Sequence, residues 1–216
     1  MVWFGADPGG ANAFGVALLY PDGKFESAVV SCADDAMKWL CRKAVTILAA
    51  GIDAPLWWSS GPSGDRAADQ YLRTTFKISG GTVQAANSLR GAVLVQGAML
   101  ALALRQRSPE LPITEAHPKA LLKAKALWPK SSKSGPLWEE IRSGFKLKGP
   151  ILDDEGQHKR DALLAAVAAR EGSTGQWTRD LALCRDCERS SGEQDPAAVP
   201  WGPVHYWWPE AVTRRK

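Results

Sequence analysis

The opening segment confines the fold more than any other stretch. Three short apolar runs, Val2 to Ala6, Phe14 to Tyr20 and Lys24 to Ser31, are separated by Asp7-Pro8-Gly9-Gly10 and by Pro21-Asp22-Gly23. Runs of this length bounded by Pro, Gly and Asp read as strands closed by tight turns. Strands joined by such short connections pair antiparallel, so the chain begins as a meander.

Beyond Ser31 the period changes. Met37, Leu40, Cys41, Ala44, Val45 and Leu48 recur at i, i+3, i+4 and i+7 spacing, which predicts an amphipathic helix. It starts near Asp34 or Asp35 and is stopped by Gly51. Ile52-Asp53-Ala54-Pro55-Leu56 reads as a fourth strand ended by proline, and Arg66 to Arg73 as a short helix. Asn87 is placed to cap a long helix running to about Arg107, apolar on most faces and so expected to be well buried. Pro112 to Ala116 reads as a fifth strand before His117-Pro118. A loop-rich region from Lys130 to Gly156 precedes a clear helix, Gln157 to Arg170, stopped by Gly172. The remainder reads as polar and irregular, except for Val204-His205-Tyr206-Trp207-Trp208-Pro209, a candidate last strand.

This order predicts an α/β fold with one mixed five-stranded sheet, three antiparallel strands followed by parallel strands reached through helical crossovers. Residues 1–172 are expected to form the core, with a basic insert at about 119–156. Residues 173–216 are expected to form an irregular C-terminal extension. A length of 216 residues suits one such domain. The longest apolar stretch, around Ala92 to Leu104, is interrupted by Gln96 and is too short to span a bilayer, so no membrane partner is expected. Nothing ahead of Asp7 reads as an export signal, and a reducing cytoplasm is the expected compartment. Cys184-x-x-Cys187 is half of a zinc-site pattern, but Cys32 and Cys41 are too widely spaced to complete it. Free thiols are the better reading.

The candidate chemistry lies in carboxylates. Asp7 and Asp53 each end an apolar strand, where aspartate is depleted and an unpaired buried charge is costly. Each is equally readable as a turn-forming residue. If their strands are neighbours, their ends lie about 5 Å apart, and two such carboxylates repel unless a cation separates them. Asp161 shares a helix face with Ala165 and Ala168, opposite Lys159 and Arg170, so it faces the sheet. His158 lies one turn earlier on the same side. Asp154 lies one further turn back if the helix reaches it. Glu115, on the fifth strand, has two readings: a fourth carboxylate of the group, or an edge-strand residue bonded to Arg or Lys. Carboxylates converging from separate elements suit Mg²⁺ or Mn²⁺, and such ions can activate water against a phosphodiester.

The strands "WFGADPGG", "AGIDAPL" and "ITEAHP", the segment "RAADQYLR", the helix "HKRDALLAAVAA" and the closing "HYWWP" occur in an order that resembles a known group. That group is the predicted ribonuclease-H-like nuclease family called domain-of-unknown-function family 429. The resemblance covers most of residues 2–170 and 204–209. A wider similarity reaches the Holliday-junction resolvases, whose first strand ends in Asp-Pro-Gly and whose final helix carries His-x-x-Asp-Ala. The resemblance implies a ribonuclease-H-like sheet and a nuclease using two divalent metal ions. It further implies Asp7, Asp53 and Asp161 as metal ligands, and His158 as a further ligand or proton carrier. The chain departs from the resolvases at the fourth strand, where they use Glu and it has the shorter Asp53.

A nucleic-acid partner is also suggested by charge. Formal net charge is only +4, yet Lys119, Lys123, Lys125, Lys130, Lys133, Arg142, Lys146 and Lys148 are opposed locally only by Glu139 and Glu140. Trp128 and Trp138 are interleaved with them. Basic groups neutralise phosphates and indoles stack on bases. Arg66, Arg73 and Arg90 are further candidates for phosphate contact, and equally salt-bridge partners. The expected activity is metal-dependent phosphodiester hydrolysis. The alternatives are an ATP-dependent phosphotransferase of related fold, given the Gly-rich turn at Asp7 to Asn12, and an inactive nucleic-acid or protein-binding module. Oligomeric state is open.

Overall fold

The computed structural model describes residues 1–89, 91–128, 138–150, 152, 156–183 and 192–210. The meander forms as expected: β1 (Val2–Asp7) pairs antiparallel with β2 (Phe14–Leu19), and β2 with β3 (Phe25–Val30). Then come α1 (Ala33–Arg42), β4 (Ile47–Ile52), α2 (Ala67–Phe76), α3 (Ala92–Arg107), β5 (Ile113–Glu115), α4 (Pro118–Ala124), α5 (Trp138–Gly144) and α6 (Gln157–Ser173). The chain closes with β6 (Arg179–Asp180), β7 (Val204–His205) and β8 (Trp207–Trp208). The main sheet is mixed, with order β3-β2-β1-β4-β5-β7. From β1 outward through β4, β5 and β7 the pairing is parallel.

Four expectations need correction. The sheet has six strands rather than five, because Val204–His205 pairs in parallel with Ile113–Thr114 at its edge. The helix expected to run to Gly51 ends at Arg42, and residues 47–52 are β4. Ala44 takes a left-handed φ of 49° there, and the β-branched run Val45-Thr46-Ile47 favours extended backbone. Val45 and Leu48 continued the helical spacing by coincidence, and Leu48 is exposed. Asn87 does not cap the long helix. Its side-chain amide donates to the Ser59 carbonyl at 3.1 Å, and Gly91 caps α3 instead. Nor is α3 buried all round: it buries Gly97, Leu100, Ala101 and Leu104 and exposes Val95, Met99 and Leu102.

The sheet positions one helix with unusual closeness. A Cβ added at Gly5 would meet the Ala162 carbonyl at 2.0 Å, one at Gly51 the Ala165 carbonyl at 2.0 Å, and one at Gly15 the His158 carbonyl at 1.9 Å. Gly5 stands beside Gly51 across β1 and β4, and Gly15 stands opposite Asp7 across β1 and β2. Side-chain-free positions on three adjacent strands thus form a channel, and the alanines of α6 lie in it. Trp3 Nε1 donates to Ser173 Oγ at 3.0 Å, which fixes the far end of the helix over the start of β1. The first turn of α6 is thereby held over the carboxyl end of β1. On the opposite face, α3 passes over the exit of β4, where Gly97 packs on Ala54.

Candidate active site

Strand alternation decides where the aspartates point. Residues two apart share a face, so Asp7 follows Gly5 and Asp53 follows Gly51 onto the side covered by α6. The Asp53 amide donates to the Ala6 carbonyl at 2.8 Å, so the ladder between β1 and β4 continues one residue beyond β4. Asp161 comes down from α6, buried among Ala162, Leu164 and Ala165. The three aspartates read from sequence as one group therefore share one face of the sheet, at its carboxyl end.

Their partners are unequal. The His158 ring Nδ1 donates to Asp7 Oδ2 at 2.7 Å, and the His158 side chain is 38% exposed. Arg160 Nε donates to Asp161 Oδ1 at 3.0 Å, with both side chains nearly buried. Among the described residues no donor or cation engages the Asp53 carboxylate. Burial raises the Asp7 carboxyl to about 6, against the His158 hydrogen bond that lowers it and with a contribution from the Asp161 charge. Asp53 is pushed well above the usual carboxylate range, first by burial and then by the charges of Asp7, Asp161 and Glu115. Burial also raises Asp161, although Arg160 and His158 pull it down. The hydrogen bond to Asp7 raises His158, so that ring holds its proton more firmly than a free imidazole. The group is acidic, desolvated and mutually repelling, and is balanced only in part by its own side chains.

Glu115 does not belong to it. Arg66 grips Glu115 with two bonds of 2.8 Å, and the Leu56 amide donates to the same carboxylate at 2.9 Å. The same guanidinium donates to Asp69 at 2.8 and 2.9 Å and to the Trp57 carbonyl at 3.1 Å, and lies 4.2 Å over the Trp57 ring. Of the two readings for Glu115, bonding to arginine is what the fold contains. The strand is not an edge, because β5 lies between β4 and β7.

The residues expected to meet nucleic acid divide. Arg66 is buried and its donors are taken, which removes it from reach of a phosphate. Arg73 is partly buried, bonded to Asp65 at 2.6 Å and to the Val83 carbonyl at 3.2 Å. Lys123 donates to Thr82 Oγ1 at 2.7 Å. Lys119 and Lys125 are exposed, with their ammonium groups 5.5 Å from the Trp128 ring and 5.7 Å from the Phe145 ring. Trp128 is partly buried, with Arg160 5.9 Å from the same ring. Trp138 is buried edge-on against Phe25 and is no stacking platform. Lys130, Lys133, Asp154, Arg90, Cys184 and Cys187 lie outside the described residues.

Two features escaped the sequence reading. Arg160 was passed over, although a basic residue next to an inward-facing Asp161 is the obvious candidate to balance it. The glycines at 5, 15 and 51 sat inside strands, where glycine signals close backbone approach.

The donor chemistry fits a divalent cation: oxygen ligands only, mutually repelling, one of them without a partner among the described residues. The arrangement does not close around one, since among the described residues no three His, Cys, Asp or Glu side chains are placed to hold a metal ion. Among the same residues no helix is long and apolar enough to cross a membrane. No family model matches the chain, and no curated protein or solved structure matches it.

Proposed function

We propose that the protein is a ribonuclease-H-like nuclease that hydrolyses phosphodiester bonds of DNA or RNA with Mg²⁺ or Mn²⁺ held by Asp7, Asp53 and Asp161. The observation that carries this reading is the Asp53 carboxylate. It is recessed, lacks a cation among the described residues, and is crowded by the charges of Asp7 and Asp161. A divalent ion would relieve that repulsion and supply water activation and charge neutralisation at a scissile phosphate. The sheet order, an antiparallel meander continued by parallel crossovers, is the order such an assignment needs.

The chain's own groups contribute the rest. His158 holds a proton on Asp7 and is open to solvent on its other side, which suits it to return a proton to a leaving oxygen. Lys119 and Lys125 offer charge to a phosphate backbone, and the partly buried Trp128 lies beneath Lys119. Gly15 lets His158 and Asp7 approach without an intervening side chain.

The test is a panel of single-stranded, duplex and branched DNA and RNA incubated with the full chain and Mg²⁺ or Mn²⁺. Metal-dependent cleavage is expected, lost in Asp7→Asn and in Asp161→Asn. Absence of cleavage on every substrate, together with no thermal shift on adding Mn²⁺, would overturn the reading. That among the described residues no three His, Cys, Asp or Glu side chains are placed to hold a metal ion favours a second reading, a nucleic-acid-binding module without catalysis. Binding to the same panel without cleavage, unaffected by Asp7→Asn, is its signature. Saturable ATP binding would instead indicate a phosphotransferase.

A further inference from the structure

The helix α3 has no charged residue between Gly91 and Arg105. A helix apolar on most faces is normally enclosed, yet α3 is not. Val95, Met99 and Leu102 are 58%, 53% and 40% exposed. Their i, i+4, i+7 spacing puts them on one stripe, opposite the buried Gly97, Leu100, Ala101 and Leu104. The next residue on that stripe, Gln106, is exposed and uncharged.

The charges stand at the two ends of this surface. The helix α1 lies beside α3 and runs the same way. The Ala33 amide donates to Gln96 Oε1 at 2.7 Å near the start of both helices, and the Arg107 guanidinium donates to Cys41 Sγ near the end of both. Asp34 and Asp35 stand at the start, where Lys38 pairs with both at 2.6 and 3.5 Å and offsets one of the two charges. Arg42 and Arg107 stand at the end, both exposed, while Lys43 there is held by Glu26. The face is therefore apolar along its middle, acidic at one end and basic at the other.

A second copy of this chain fits such a face. When two copies meet face to face about a two-fold axis, the axis lies in the plane of contact. An axis along the helices runs the copies parallel and sets like ends together. An axis across the helices runs them antiparallel, lays α3 on α3 and α1 on α1, and brings Asp34 and Asp35 of each copy to Arg42 and Arg107 of the other. Only the second arrangement is complementary in charge, and it sets Met99 near the axis against its own copy. We propose that the α1–α3 face is the contact of a symmetric antiparallel dimer, with Val95, Met99 and Leu102 at its centre and the oppositely charged helix ends at its rim. With 16 residues, α3 is about 24 Å long, so the contact is small and its affinity is micromolar. The dimer is independent of the metal-dependent reading.

The experiment is sedimentation velocity on the full chain from about 1 to about 200 µM. Wild type is expected to move from the mass of one copy to that of two across this range. Met99→Asp should stay at one copy throughout, with an unchanged far-ultraviolet circular dichroism spectrum because the side chain is exposed. Asp34→Lys with Asp35→Lys should weaken the dimer about tenfold, and adding Arg42→Glu with Arg107→Glu should restore it. A wild-type chain at one copy throughout would overturn the inference and leave the face to a different protein. A dimer untouched by Met99→Asp would place the contact elsewhere on the molecule, and a dimer that the combined reversal fails to restore would overturn the antiparallel arrangement. If Met99→Asp does not fold, the charge reversals still decide the matter.

Discussion

Two clusters of buried acids stand at the carboxyl ends of neighbouring strands, and they are built on opposite principles. Around Arg66, the carboxylates of Asp69 and Glu115 take all the geometry a guanidinium offers, and the Leu56 amide and Trp57 carbonyl complete the set. Around Asp7, three carboxylates share one buried arginine and one half-exposed histidine, and among the described residues neither cation reaches Asp53. The first cluster ties β5 to α2 and closes on itself. The second holds charge under tension at the mouth of the sheet. A saturated acid–arginine network is structural, whereas a desolvated group of acids short of cations is a candidate binding site.

That contrast can be broken from either side. The largest effect is expected from Arg66→Met, which leaves Glu115 and Asp69 buried without their cation. Loss of about 3–5 kcal/mol of stability is expected in urea unfolding, and a loss under about 1 kcal/mol would show that the network is not structural. Gly51→Ala drives a methyl into the Ala165 carbonyl and lifts α6 from the sheet. A loss near 3 kcal/mol is expected from overpacking, with the Asp161-dependent Mn²⁺ response reduced alongside it. A fully stable variant would mean that α6 does not lie in the glycine channel.

Acid tests a buried histidine beside the closed cluster. His117, at the exit of β5, has its Nε2 bonded to the Thr82 carbonyl at 2.9 Å, and its Nδ1 is buried without a partner. Burial lowers the imidazole to about 4 from 6.5. The fold holds the neutral ring, so this stability is complete above pH 6.5 and is lost as pH falls from 6.5 through 4. The loss approaches about 3 kcal/mol, and His117→Gln should flatten that limb of the pH profile. An unchanged profile in the variant would contradict the assignment. The smallest effect has the opposite sign. Asp53→Asn removes a repelled charge from the open cluster, and the metal-free protein is expected to gain about 1 kcal/mol at pH 8 while losing its thermal shift with Mn²⁺. A destabilised Asp53→Asn would place Asp53 among the structural acids.

Much of the open cluster was legible in the sequence because it rests on local patterns. Apolar runs that end in Asp7 and Asp53, and the helical spacing that turns Asp161 inward beside His158, are rules about one strand or one helix at a time. The closed cluster was not legible. Arg66 meets Asp69 one turn along the same helix, but it meets Glu115 from 49 residues away, and that pairing depends on how α2 sits against β5. The two readings of Glu115 could be separated only by tertiary structure. β7 adds only two residues to the sheet, too few to show a period. The end of α1 was misread because Val45 and Leu48 satisfy the helical spacing while lying in an extended segment. Arg160 required asking what balances three acids, a question the pattern of apolar residues does not raise.

The most direct test of the central claim is an anomalous difference map from crystals of the full chain soaked in Mn²⁺. A peak within reach of the Asp7, Asp53 and Asp161 carboxylates is the predicted result. Asp7, Asp53 and Asp161 without any peak, at an occupancy of Mn²⁺ elsewhere that shows the soak worked, would contradict the claim that these aspartates are a cation site.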